Sequence, residues 1–382
     1  MSLRLDNEIS TSLRESVRGW SERNLMPSAA DRDQRSYFDE SLYRQLDTEL
    51  GIMNMTLPET LGGTDLNIDA TLIAIESLSE FDPGIAISYL SQELLFSHQL
   101  YQTWKHSGED IPARHADILK QKALSGMAMT EPDAGTDVLG MRTTATQNDD
   151  GFMLNGVKQW ITNGTVGRYF LVYARTGEQR RDISLFLVDA ETQGLTRSSC
   201  GEKMGMRSSP TGILTFQNCK IPLDSCVGQY HEGLRPMLRN LGAERLGLAA
   251  QSVGIANTCM RIMREYAGSR RAFDHPIADF GQIQSMLAMS YAKLKAMKSL
   301  LHDTTQAYID QLPDASMDAD ATKLFCAIGG EEISRMAIQV LGANGYSAAY
   351  PVERLHRDAV LLSIGGGTNE ALEKNITRLL MK

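Results

Sequence analysis

The chain has 382 residues, is 42% hydrophobic and carries a formal net charge of -9; it is long enough to bury a large core as one unit or as two to three lobes, and its charge excludes a general affinity for DNA, RNA or anionic membranes. Five cysteines, Cys200, Cys219, Cys226, Cys259 and Cys326, are odd in number and lack C-x-x-C spacing, which excludes a disulfide framework and a zinc knuckle and fits a reducing compartment. The opening MSLRLDNEIS has no apolar h-region and no stretch reaches the length of a bilayer span, so the expectation is a cytoplasmic protein with no membrane segment.

From residue 5 to about 120 the apolar residues recur every three or four positions, through SLRESVRGWSERNL, SLYRQLDTELGI and DATLIAIESLSEF, and the period predicts helices. Pro58 and the Gly62-Gly63 pair punctuate this run. Between about 121 and 230 the period shifts towards two, in GFMLNGVKQWITNG, YFLVYAR, ISLFLVDA and GILTFQNCKIP, which predicts strands separated by turns. After about 231 long helical patterns return, in LGAERLGLAAQSVGIANTCMRIMREYAGS and GQIQSMLAMSYAKLKAMKSLLHDTTQAYIDQ. The expected fold class is α+β: an N-terminal helical domain over 1–120, a middle β domain over 121–230 and a C-terminal helical domain over 231–382, with ligand sites in the clefts between them. No G-x-G-x-x-G follows a strand, and the seven histidines form no H-x-x-x-H, so neither a nicotinamide site nor a metal is expected.

Two segments stand out for chemistry. In AMTEPDAGTD, Pro132 and Gly135 force an irregular chain whose amides are free to meet a ligand, with the Thr130 and Thr136 hydroxyls beside them. In KQWITNG, Trp160 and Thr162 are two apart and so share one face of a strand, an indole and a hydroxyl suited to walling a flat heteroaromatic ring. Taken alone, the first is a turn and the second a core strand. The order TEPDAGTD, LNGVKQWITNG, EKMGMRSSPTGILTFQNCKIP, RRAFDHPIADF, QVLGANGY, RLHRDA and GGGTNE, preceded by PETLGG near residue 60, resembles the acyl-CoA dehydrogenase family, most closely its isovaleryl-CoA-like members. The resemblance covers nearly the whole chain.

That resemblance implies a helical domain, a middle β-barrel and a C-terminal four-helix bundle, assembled as a homotetramer that holds FAD. It implies an acyl-CoA substrate, short or branched, an electron-transfer flavoprotein as acceptor, and a place in fatty acid or amino acid catabolism. Met129, Thr130, Gly135 and Thr136 would line the isoalloxazine edge, Trp160, Ile161 and Thr162 its face and N5. Arg270, Phe273 and the stretch Gln339, Val340, Leu341, Gly342, Ala343 would meet the FAD pyrophosphate and adenine across a subunit contact, and Thr368 and Glu370 would touch FAD again. Arg270 has a case of its own, since guanidinium pairs bidentately with phosphate; basic residues at a helix end also suit the macrodipole. Thr136, Arg235, Arg245, Gly365 and Gly366 would face the substrate.

The chemistry needs a carboxylate beside the substrate α-carbon, shielded so that its proton affinity rises. Many members of the family place a Glu directly before the Gly-Thr of the closing loop; here that position is Gly366. Isovaleryl-like members take the base instead from a Glu-Arg-Leu run in the C-terminal domain and keep a small residue in the loop. Glu244 in LGAERLGLAA and the glycines at 365, 366 and 367 match both halves of that exchange, so Glu244 is the expected catalytic base and GGGTNE the relieved wall opposite it. Glu370 is the rival, but the first turn of the last helix and an i, i+4 pairing with Lys374 account for it, and Thr368 suits the N-cap. Two positions depart from the pattern: Gly281 where a FAD-contacting Gln is usual, and Arg235 where isovaleryl-like members carry a Tyr. Arg235 either meets a carboxylate or phosphate on an unusual substrate or points to water. The alternatives are a dehydrogenase of acyl groups tethered to a carrier protein, a non-catalytic flavin or acyl-CoA binding protein, and an oxidase.

Overall fold

The computed structural model describes residues 7–381. The N-terminal part is built from α1 (Asn7–Asn24), α2 (Ala29–Arg35), α3 (Glu40–Thr48), α4 (Ile68–Ser79), α5 (Pro83–Leu90), α6 (Gln99–Ser107) and α7 (Ala113–Lys120). Helices α4 and α5 are buried almost all round, which is why they read as continuous apolar runs rather than as stripes. Asp82 caps α5, accepting from the Gly84 and Ile85 amides, with Pro83 at the first helical position. Between α5 and α6 the chain runs on as a buried π-helical stretch, Ser91–His98, a wider winding that recurs at functional sites.

The middle part folds as one mixed sheet. Its strands are β1 (Ser125–Ala128), β2 (Thr144–Asn148), β3 (Gly151–Ile161), β4 (Tyr169–Arg175), β5 (Ile183–Asp189), β6 (Leu195–Ser199), β7 (Gly212–Pro222) and β8 (Cys226–Val227). They run in the order β6-β7-β3-β2-β4-β5-β8, with β1 laid parallel on β4 so that Met127 pairs with Leu171. Alternation along β4 divides two cores: Tyr169, Leu171 and Tyr173 pack with Phe96, Trp104 and Met237 on the helical side, while Phe170, Val172 and Ala174 pack with Phe152, Phe186 and Phe216 on the other.

The C-terminal part opens with α8 (Leu234–Ser269), 36 residues long and so about 54 Å. A small hairpin of β9 (Arg271–Ala272) and β10 (His275–Pro276) leads to α9 (Gly281–Ile309), α10 (Ala315–Leu341), α11 (Val352–Leu362) and α12 (Asn369–Leu380). Helix α10 packs against α8, α9, α11 and α12, and α8 also packs on α4 and α5. Leu246, Val253, Ile255 and Ile333 in this core are essentially inaccessible, each contributing roughly 1.5–3 kcal/mol from burial. Buried polar links tie the three parts together. Arg32 pairs with Asp82, which also accepts from Ser208 Oγ at 2.6 Å; the Met206 amide donates to Asp358 and Thr258 Oγ1 donates to the Glu80 carbonyl at 2.7 Å. The α+β architecture expected from the sequence is the one observed. Among the described residues no helix is long and apolar enough to cross a membrane.

Candidate active site

Met237, Asn240, Leu241 and Glu244 are spaced by three, four and seven along α8 and so form one stripe on that helix. The stripe faces Met127 and Met129, at the end of β1, and Tyr173 of β4, and the two walls close on a narrow crevice that admits no water-sized sphere. Glu244 is half-buried. Desolvation pushes its carboxyl above the ordinary value, opposed by the charges of Arg245 and Lys323. This is the environment a general base needs, and the apolar and small residues after it in the sequence, Leu246 to Ala250, are buried.

The loop between α11 and α12 passes beside that carboxyl. Gly366 and Gly367 have φ of +63° and +94°, a left-handed backbone that L side chains avoid. A Cβ at Gly366 would stand 3.7 Å from Cγ and Cδ of Glu244 and would overlap the Leu248 Cδ1 methyl. The absent side chain therefore borders the Glu244 carboxyl, the geometry expected of an exchange between a loop glutamate and a helix glutamate. Two cations hold the loop in place. Arg245 Nε donates to the Gly366 carbonyl at 3.4 Å while Nη1 pairs with Asp320, whose other oxygen accepts from Asn375 Nδ2 at 2.5 Å. Lys323 Nζ donates to the Gly367 carbonyl at 2.8 Å and to Asn369 Oδ1 at 3.3 Å; burial lowers its pKa to about 8, with Glu244 resisting the shift. Arg245, expected on the substrate side, is thus buried and engaged with the loop and Asp320.

Thr368 caps α12, its hydroxyl accepting from the Ala371 amide at 3.3 Å. Glu370 is exposed, and its own backbone amide and the Thr368 hydroxyl lower its pKa. Among the described residues it forms no ion pair with Lys374. Arg235 is 79% exposed and pairs with Glu232 at 3.3 Å; it does not line the crevice. Gly365 is half-buried in the closing loop.

The two central motifs meet through a buried ion pair. Lys158 Nζ, wholly inaccessible on β3, reaches Glu131 Oε1 at 2.8 Å and the Met129 carbonyl at 2.9 Å. Glu131 also accepts from the Arg142 and Thr143 amides, and the Gln159 amide donates to the Thr130 carbonyl at 2.8 Å. This clamp carries the strand from the crevice wall at Met129 into an exposed turn holding Gly135 and Thr136. The same-face reading of Trp160 and Thr162 fails: β3 ends at Ile161, its register shifts between Lys158 and Ile161, and Trp160 has φ +60°. The bulge turns Ile161 inward to the core and leaves the Trp160 indole 53% exposed, with Thr162 half-buried in the following turn.

The residues expected at the far end of the cofactor gather elsewhere. Arg270 ends α8, its amide donating to the Tyr266 carbonyl, and Phe273 sits 88% exposed at the tip of the β9–β10 hairpin with φ +49°. Tyr266 OH accepts from Asn344 Nδ2 at 2.8 Å, so this end of α8 adjoins the turn after α10. There Gln339, Gly342 and Ala343 are exposed while Val340 and Leu341 are core residues. Along α8 the 26 residues from Glu244 to Arg270 span about 39 Å, so one chain holds the two groups far apart. At Gly281 an added Cβ would meet open space.

Lys158, Glu131, Lys323, Asp320, Tyr173 and Asn240 were not singled out from sequence. A signal existed for two of them. Lys158 shares an inward strand face with Leu154, and Lys323 lies on the α10 face that buries Ala319, Cys326, Ala327 and Gly330.

Family models describing the acyl-CoA dehydrogenase N-terminal, middle and C-terminal domains match residues 7–107, 126–219 and 231–381. The chain is 33% identical to a mitochondrial 2-methylacyl-CoA dehydrogenase of Solanum tuberosum over 100% of its own length and 92% of the relative's. It is 31% identical to a mitochondrial isovaleryl-CoA dehydrogenase of the same plant, over 97% of this chain and 90% of the relative. Among solved structures, butyryl-CoA dehydrogenase from Megasphaera elsdenii superposes with a TM-score of 0.93 at 29% identity, covering 100% of each chain.

Proposed function

Because the chain belongs to the acyl-CoA dehydrogenase family and is an oxidoreductase acting on CH–CH bonds, we propose that it converts a short or branched acyl-CoA to the trans-2-enoyl-CoA with Glu244 as the base. One observation carries this reading: the Glu244 carboxyl lies 3.7 Å from the site of the missing Gly366 side chain, in a crevice where desolvation raises its proton affinity. Glu244 takes the α-proton, and the proton is held on its carboxyl. Arg245 and Lys323 keep the loop carbonyls fixed beside it, so the substrate enters a preformed wall. Their charges also keep the carboxylate available against desolvation. Met127, Met129 and Met237 offer adaptable apolar surface to the acyl chain.

The residues present fit FAD. An exposed indole held out by a left-handed backbone at Trp160 and the open turn at Gly135 and Thr136 adjoin the crevice through Met129. Met129, Thr130, Gly135, Thr136, Trp160, Ile161 and Thr162 would hold the ring, with Ile161 contributing backbone. Arg270, Phe273 and the Gln339–Ala343 stretch would hold the pyrophosphate and adenine from a second copy in a homotetramer, with Thr368 and Glu370 adding contacts. When bound, FAD supplies the acceptor for the hydride from the β-carbon, and electrons pass on to an electron-transfer flavoprotein. The test is anaerobic reduction of the bound flavin by matched CoA and carrier-protein thioesters differing in length and branching. The expected result is fast reduction by short or branched acyl-CoA. Reduction only by carrier-protein thioesters would replace the substrate assignment, and a yellow protein inert to the whole panel would overturn the catalytic reading.

A further inference from the structure

Stability alone does not account for the ion pair behind the crevice wall. Glu131 already accepts from two backbone amides, Arg142 N at 2.5 Å and Thr143 N at 2.9 Å, and apolar residues in place of a buried ion pair are often neutral or stabilising. Lys158 has three donors, and each has a partner: Glu131 Oε1 at 2.8 Å, the Met129 carbonyl at 2.9 Å and Met141 Sδ at 3.9 Å. Burial lowers its pKa to about 8 while the Glu131 charge resists the shift, so the ammonium is protonated at neutral pH.

The Met129 carbonyl belongs to the peptide whose N–H is that of Thr130. That N–H has no acceptor among the described residues, while the Thr130 carbonyl accepts from the Gln159 amide at 2.8 Å. Thr130 is therefore pinned on both sides, and the second pin is the neighbour of Trp160, whose left-handed backbone leaves its indole exposed. A fixed donor beside an exposed aromatic face suits the edge of a flat, hydrogen-bonding ring. A charged donor at one end of a peptide strengthens the hydrogen bond given by the other, by about 10–30% per bond.

Resting on the FAD reading above, we propose that Lys158 is a positioning residue that raises the reduction potential of the bound flavin, by polarising the Met129–Thr130 peptide so that the Thr130 amide donates more strongly to the ring edge. The hydride from the β-carbon carries two electrons and one proton, so the ring gains one negative charge. A preorganised donor favours the form in which that charge has developed. Glu131 holds the ammonium against the carbonyl, and neither side chain needs to touch FAD.

The experiment titrates the holoenzyme flavin anaerobically against reference dyes. It uses the wild type, Glu131→Ala with Lys158→Met, and Glu131→Gln with Lys158→Gln; the last keeps neutral hydrogen-bonding groups in case the apolar pair fails to fold. Melting temperature and the affinities for oxidised and reduced FAD are measured beside it. Removing the charge should shift the equilibrium towards oxidised flavin by about three- to tenfold, a fall of about 15–30 mV for a two-electron couple, with reduced FAD losing more affinity than oxidised FAD. A variant that melts near the wild type and keeps its equilibrium within about 1.5-fold overturns the proposal. So does one that loses both forms of FAD equally, or the failure of both double variants to fold, since the pair would then serve binding or the scaffold alone. The dehydrogenase reading is judged apart: a wild type that holds FAD but is reduced by no thioester fails that reading while its potential still tests Lys158, and a wild type that takes up no FAD overturns both.

Discussion

Gly366 offers a perturbation whose cost can be worked from the structure. An alanine there would adopt φ +63°, a left-handed conformation costing roughly 1–2 kcal/mol for an L residue. Its Cβ would fall on the Leu248 Cδ1 methyl, well inside the ~3.5–4.0 Å contact distance, and such overpacking costs typically about 1–3 kcal/mol. Gly366→Ala should therefore destabilise by about 2–5 kcal/mol. Leu248→Ala alone, at a buried position, should cost about 2–5 kcal/mol through its cavity. In the double variant the methyl overlap is gone while the backbone strain and the Leu248 cavity remain, so the two losses should be less than additive by about 1–3 kcal/mol. A double-mutant cycle by urea unfolding, following both the flavin and the helical signal, measures this. Losses that sum within about 0.5 kcal/mol, or a Gly366→Ala protein as stable as wild type, would refute the claim that the loop is glycine for want of room against α8.

Three further outcomes are expected. Glu131→Ala strands the inaccessible Lys158 charge and should cost about 3–5 kcal/mol together with FAD retention; Glu131→Ala with Lys158→Met should recover part of both, and retention of stability and flavin in the single variant would contradict the clamp. Burial raises the Glu93 pKa to about 8, against about 4.3 unfolded, so the stability this carboxyl contributes is full below about pH 4.3 and lost as the pH rises through about 8. Glu93→Gln should accordingly gain on wild type across that window in melting-temperature scans, and parallel pH profiles would rule the reasoning out. Lys323→Met removes a charge that favours the Glu244 carboxylate, so the acid limb of kcat/KM against pH should move to higher pH; an unmoved limb would mean that another group titrates.

The fold was legible because its periods are long and clean: α8, α9 and α10 each carry a helical pattern of 27 residues or more, and β4 and β5 are apolar runs. The Glu244 assignment and the glycine wall opposite it came only through resemblance to a family, since an isolated Glu in a helix carries no mark of its environment. What the sequence hid was local strain and long-range pairing. Trp160 and Thr162 keep strand spacing, yet the left-handed backbone at Trp160 breaks the alternation that spacing assumes. The Glu131–Lys158 pair joins residues 27 apart, and neither residue names its partner. The π-helical turn at Ser91–His98 is equally silent, because its all-buried sequence gives no periodicity to shift.

The most direct measurement is anaerobic mixing of purified Glu244→Gln holoenzyme with a thioester that reduces the wild type. The variant should fold, bind FAD and bind substrate, as shown by a perturbed flavin spectrum, while the rate of flavin reduction falls by about 10²–10⁴-fold or more. Reduction at the wild-type rate would mean that the α-proton leaves to some other group, and the role given to the α8 carboxyl would be withdrawn.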